Sequence, residues 1–89
     1  MFSDPTLYAC RVCGLLQAES PWGEDGKTPN FEICDCCGVE FGYEDCSIET
    51  ARLARERWKA QGFRWHEPTI TPQDWSLEKQ LQQIPLHFQ

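Results

Sequence analysis

The chain has 89 residues, six of them cysteine and four tryptophan, and its 14 carboxylates outweigh eight Lys and Arg for a net charge of −6. A domain of this size buries only about 60–65 % of the surface its unfolded chain exposes, so a cross-linking element would help it fold. The acidic balance argues against non-specific nucleic-acid binding, no apolar run reaches the roughly 20 residues of a membrane helix, and Met1-Phe2-Ser3-Asp4-Pro5 lacks the features of a secretory signal. A cytoplasmic location is expected, where paired cysteines bind metal more often than they form disulfides.

From the N-terminus, residues 1–7 read as a tail, with Leu7 and Tyr8 as the first core contacts. Tyr8-Ala9-Cys10-Arg11-Val12-Cys13-Gly14 is a C-x-x-C-G turn, from which Leu15–Glu19 should leave as a short strand. Ser20 to Asn30 holds two Pro and two Gly and reads as a loop carrying Trp22. Phe31-Glu32-Ile33 alternates apolar and polar like a half-buried strand and leads into the second turn, Cys34-Asp35-Cys36-Cys37-Gly38. Val39-Glu40-Phe41-Gly42-Tyr43 alternates likewise, as a return strand. The expectation is a small antiparallel sheet of two or three strands with a metal at one end.

The period then changes. Ser47 can cap a helix over about 48–61, with Ile48, Ala51, Ala54 or Arg55, and Trp58 on one stripe and Arg52, Glu56 and Lys59 on the other side. Gly62 suits the position that ends it, and Phe63 could fold back onto the last turn. Phe63-Arg64-Trp65-His66 should be extended up to Pro68. Thr71-Pro72-Gln73-Asp74 looks like a capped start for a second helix, with Trp75, Leu77, Leu81 and Ile84 as its apolar stripe and Pro85 as its end.

The cysteine spacing carries the chemistry. Two C-x-x-C turns, each followed by Gly and separated by 20 residues between Cys13 and Cys34, can place four thiolates on one tetrahedral ion. Cys10, Cys13, Cys34 and Cys37 are the expected ligands, because only the Cys34–Cys37 pair repeats the spacing of the first turn. Cys36 and Cys46 are left over as free structural cysteines or a redox pair. Four thiolates close the tetrahedron, so His66 and His87 are not needed as ligands, and a Cys46–His66 nucleophile lacks an orienting third group.

Tyr8-x-Cys10-x-x-Cys13-Gly14, Ile33-Cys34-x-Cys36-Cys37-Gly38 and Phe41-Gly42-Tyr43-x-Asp45 together resemble zinc-ribbon and rubredoxin-like knuckle proteins. More closely, the pattern is similar to small bacterial cysteine-rich proteins of the CPCC type. The resemblance covers residues 8–46, and neither knuckle holds a Pro: Arg11-Val12 and Asp35-Cys36 stand in those places.

Taken together, the expectation is one α+β domain over 1–89, with a zinc ribbon at 8–46 and a two-helix extension at 47–89 packed on it. A closed four-cysteine site points to structural zinc in a non-catalytic protein, with iron as the alternative because it accepts the same four sulfurs. The expected partner is another protein, met through the Trp22 loop or the acidic face. An iron electron carrier is one rival. A nucleic-acid-binding ribbon acting through Arg52, Arg55, Arg57, Lys59 and Arg64 is another, and internal charge complementarity is the simpler reading of those cations.

Overall fold

A computed structural model of the protein describes residues 5–89, so most of the expected N-terminal tail lies outside the described residues. The rest of that tail, Pro5–Leu7, is one 3-10 turn. Two helices follow much later: α1, Ile48–Ala60, and α2, Leu77–Leu81. None of the described helices is long and apolar enough to cross a membrane.

The expected antiparallel sheet is absent. Among the described residues there is no strand, only two isolated antiparallel bridges, Ala9 to Leu16 and Ile33 to Glu40. Each bridge closes one knuckle. In the first, Cys10 N–H donates to Leu15 O at 2.9 Å and Gln17 N–H to Tyr8 O at 2.8 Å. In the second, Cys34 N–H donates to Val39 O at 2.9 Å and Phe41 N–H to Glu32 O at 3.0 Å. The two knuckles are thus one motif used twice, 24 residues apart.

Local backbone stops the second pairing after one step. Phe31 has φ 60°, a left-handed conformation that no strand continues through, and Gly42 has φ 99°. The Gly42 N–H donates to Asp45 Oδ1 at 2.8 Å, which bends the expected return strand into a turn. Apolar and polar residues do alternate here, but the turn chemistry on either side overrides the alternation. The molecule is therefore two knuckle loops and two helices joined by irregular chain, not an α+β ribbon.

Helix α1 forms for the reasons its sequence suggests. Ser47 accepts the Thr50 N–H at 3.1 Å while Thr50 Oγ1 accepts the Ser47 N–H at 3.2 Å, a reciprocal cap that satisfies two otherwise free donors. Ala51, Ala54 and Trp58 are buried, and Arg52, Glu56 and Lys59 are exposed. Gly62 adopts φ 83° beyond the last turn, where Phe63 N–H returns to Trp58 O at 3.0 Å and the Phe63 ring meets Trp58 edge-on at 4.9 Å.

Helix α2 is shorter than expected. Thr71 does not cap it: its hydroxyl donates to Pro68 O at 2.9 Å, and Pro72 to Trp75 is a turn closed by Trp75 N–H on Pro72 O. The Trp75 ring packs edge-on against Trp65 at 5.5 Å, which holds the turn and delays the helix to its real cap, Ser76. The Lys79 N–H donates to Ser76 Oγ at 3.3 Å. The apolar pull of one tryptophan thus outweighs a good capping sequence.

The core joins both halves of the chain. Val12, Val39 and Phe41 from the knuckles and Ala51, Ala54 and Trp58 from α1 pack around the buried cysteines. Trp22, expected in a loop, folds inward: its Nε1–H donates to Asp45 Oδ2 at 2.7 Å. Asp45 is fully buried and holds both the Trp22 indole and the Gly42 amide. Asp45→Ala should cost about 2–3 kcal/mol in urea unfolding, since two buried donors lose a charged acceptor. Asp45→Asn should cost less, because it keeps one acceptor for Gly42.

Candidate metal centre

Each knuckle delivers its two cysteines by the same local geometry. The first cysteine's carbonyl accepts the N–H of the glycine four residues on, Gly14 to Cys10 and Gly38 to Cys34, both at 2.9 Å. That closure needs positive φ, and the two glycines have 86° and 79°. The turn then aims both of its sulfurs the same way.

The two pairs meet. The sulfurs of Cys10, Cys13, Cys34 and Cys37 all lie within 4.8 Å of one another. Cys10 Sγ is 3.7 Å from Cys37 Sγ, and Cys13 Sγ is 3.6 Å from Cys34 Sγ. A tetrahedron with metal–sulfur bonds of about 2.3 Å has sulfur–sulfur edges of about 3.8 Å. A disulfide would need about 2.05 Å, so these two pairs are not cross-links, and their spacing is compatible with sulfurs around one ion. Cys10, Cys13 and Cys34 are fully buried and Cys37 is half-buried. A four-cysteine cluster of this shape could hold a metal ion.

The thiols do not share charge evenly. Cys34 is pushed well below the ordinary thiol range by hydrogen bonds from Cys10, Cys13 and Cys37. Cys13 is pushed well up, first by burial and then by its thiol neighbours. Cys37 is also held up, chiefly by its hydrogen bond with Cys10. The protons held on Cys13 and Cys37 must leave before all four sulfurs can bind one cation. When bound, a divalent ion supplies the positive charge that lets all four sulfurs ionise together.

Backbone and side-chain donors support that charge. Val12 N–H points at Cys10 Sγ from 3.4 Å, and Gln17 Nε2 lies 3.6 Å from Cys34 Sγ. Arg55 donates to the carbonyls of Val12 at 2.6 Å, Arg11 at 2.9 Å and Phe88 at 2.7 Å, which ties the first knuckle to the C-terminal segment. Burial pushes its guanidinium below the ordinary arginine range.

Gln80 has the same kind of role on the other side. It is 4% exposed, and its Nε2 donates to Cys13 O at 3.2 Å and Cys36 Sγ at 3.3 Å while its Oε1 accepts the Trp75 indole at 2.6 Å. The second knuckle is closed from behind by His66 N–H on Cys36 O at 2.9 Å and Glu67 N–H on Asp35 O at 2.8 Å. Neither Gln80 nor Arg55 carries a sequence signal for this role. One sits among polar residues of a helix, and the other counts among the basic residues.

The remaining expected residues lie apart from the cluster or beside it. Cys36 is buried under Gln80, and Cys46 is exposed, with its thiol donating to Gly42 O at 3.0 Å. The His66 ring stands against Gly38, and His87 packs edge-on to Phe88 at 5.1 Å. Three of the five cations in the basic stretch are bound within the molecule: Arg55 as above, Arg52 on Gln89 O at 2.8 Å, and Arg57 on Glu44. Trp22 is stacked by the Arg11 guanidinium at 4.0 Å, which on its other side meets Phe88 at 4.3 Å.

Two proteins of Bacillus subtilis are similar to this chain. The chain is 32% identical over 88 aligned residues to the uncharacterized protein YozI of Bacillus subtilis (strain 168), spanning 79% of this chain and 71% of that one. It is 36% identical over 84 aligned residues to the uncharacterized protein YoaQ of the same organism, spanning 75% and 70%. No protein-family model matches the chain, so none bears on the CPCC or zinc-ribbon likeness. No solved structure matches it.

Proposed function

The chain belongs to one family with YozI and YoaQ, and we propose that it is a small cytoplasmic zinc protein whose metal is structural and whose work is to bind another protein. The observation that carries the metal reading is the sulfur geometry, four thiols within 4.8 Å with edges close to those of a tetrahedral site. Zinc is named because it fills closed four-thiolate sites without imposing a geometry of its own. The doubled C-x-x-C-G pattern, which resembles CPCC-type proteins, supports the same ion.

Four protein ligands would leave no coordination position for an activated water or a substrate, which favours a scaffold over a catalyst. The ties of Arg55, Gln80 and His66 to the knuckle backbones support a structural role, since the C-terminal half is anchored on the loops that the ion would hold. The internal pairing of Arg52, Arg55 and Arg57 weighs against a nucleic-acid surface, because phosphate binding draws on free cations.

Elemental analysis of protein purified without added metal tests the reading. One zinc per chain in a colourless preparation is the expected result. A red-brown preparation with thiolate-to-iron absorption would assign iron and favour electron transfer instead. A metal-free but folded protein would sink both.

A further inference from the structure

Two phenylalanines of this chain adopt the left-handed backbone conformation that favours glycine, Phe31 at φ 60° and Phe63 at φ 57°. The two positions differ in what the side chain gains. The Phe63 ring is half-buried and packs on Trp58 at 4.9 Å, so its contacts offset the strained backbone. The Phe31 ring is 57% exposed. It stands beside an equally open Tyr43, 65% exposed and edge-on at 6.2 Å, and over the turn at Pro29 and Gly42. Glycine or asparagine at position 31 would meet the same backbone with less strain, so folding alone does not account for an aromatic ring there.

The chain segment that carries both rings is acidic. From Thr28 to Thr50 the chain has Glu32, Asp35, Glu40, Glu44, Asp45 and Glu49 and no Lys or Arg. Asp45 is buried and Glu44 is paired with Arg57. That leaves exposed Glu32, Asp35 and Glu49 and half-buried Glu40 without a cation partner among the described residues. Two open aromatic rings beside carboxylates are suited to an Arg or Lys side chain, which can lie on a ring face while its charge meets an acid. A second copy docked face to face is the wrong occupant, because it would bring the same acidic face to this one. Nucleic acid is excluded on the same ground.

We propose that Phe31 and Tyr43, flanked by Glu32 and Glu40, form the docking surface for an arginine- or lysine-bearing segment of a partner protein. The proposal rests on the interaction role put forward above and names its surface. Gly42 and Pro29 seat the Phe31 ring: a Cβ on Gly42 would stand 2.8 Å from the Phe31 ring and from the Pro29 side chain. Strain at Phe31 thus serves presentation of the ring.

The test is a titration of metal-loaded, isotopically labelled protein with the acetylated peptide Arg-Lys-Leu-Lys-Arg, followed by amide chemical shifts. Shifts should concentrate at Phe31, Glu32, Glu40 and Tyr43 and fade with added salt. Phe31→Asn and Tyr43→Ala should each weaken binding about tenfold. Phe31→Asn should leave the melting temperature unchanged or raise it. A fall of about 10 °C or more would make Phe31 an ordinary packing residue and overturn the proposal. So would shifts centred elsewhere, equal binding of a peptide with Glu at each basic position, no shifts at saturating peptide, or concentration-dependent self-association through this face. Elemental analysis of protein purified without added metal decides the zinc reading separately, since neither variant touches the sulfur cluster.

Discussion

Cys10→Ser, or removal of the ion by a strong chelator, should abolish the cooperative thermal transition and most of the helical circular dichroism. The four sulfurs sit where the two knuckles meet, and among the described residues no strand pairing joins them independently. Structural zinc contributes on the order of 10–16 kcal/mol in small peptides, as much as the whole stability of about 5–15 kcal/mol that a domain has to lose. Acid should act in the same direction. Each ligand binds as a thiolate, so protons compete with the metal, and Cys13 and Cys37 hold theirs above the ordinary thiol range. Metal affinity, and with it the melting temperature, should therefore fall as pH is lowered. An unchanged spectrum and melting temperature after chelation would show that the fold stands without metal and would remove the structural role.

Gly14→Ala should be nearly as damaging even though it changes no ligand. A Cβ at Gly14 would stand 2.1 Å from the Gln80 carbonyl oxygen and 3.1 Å from Ile84 N, both backbone atoms that cannot swing aside. The backbone φ of 86° adds the strain of a side chain in the left-handed region. Together these should cost about 3 kcal/mol or more and lower the melting temperature by about 10–20 °C. Gly62→Ala is the internal control. It has nearly the same φ, 83°, but nothing within 4 Å of its Cβ, so it should cost only about 1 kcal/mol. Equal effects of the two substitutions would mean that α2 does not press on the first knuckle as described.

The contrast also marks how far the chain can be read from its letters. That a glycine is needed after each knuckle follows from backbone sterics within one turn. That Gly14 lies under the backbone of α2 depends on a contact 66 residues away in sequence. The four clustered cysteines are legible for the first reason: a C-x-x-C-G turn is a local device, and its repetition implies its own partner. Helix α1 is legible too, since its cap, stripe and terminating Gly62 all lie within 16 residues.

What fails is the step from local pattern to pairing. Alternation in Phe31–Ile33 and Val39–Tyr43 suggests strands, yet Phe31 at φ 60° and the Asp45-held turn at Gly42 end the ladder between them after one bridge. The Thr71 cap is similarly good chemistry used for another purpose, because Trp75 gains more by packing on Trp65. Local turn geometry in the first place, and a tertiary contact in the second, outweigh a local preference of about 1 kcal/mol.

The cysteine cluster is thus written into the chain itself, because ligand spacing, turn glycines and helix capping are short-range properties of the covalent backbone. Folding across long distances settles the rest: Gln80 and Arg55 brace the knuckles, Asp45 holds Trp22, and Phe31 and Tyr43 are left in the open. Those outcomes turn on which buried polar groups find each other across the fold, and hydrogen-bond satisfaction between distant residues leaves no period or spacing in the sequence.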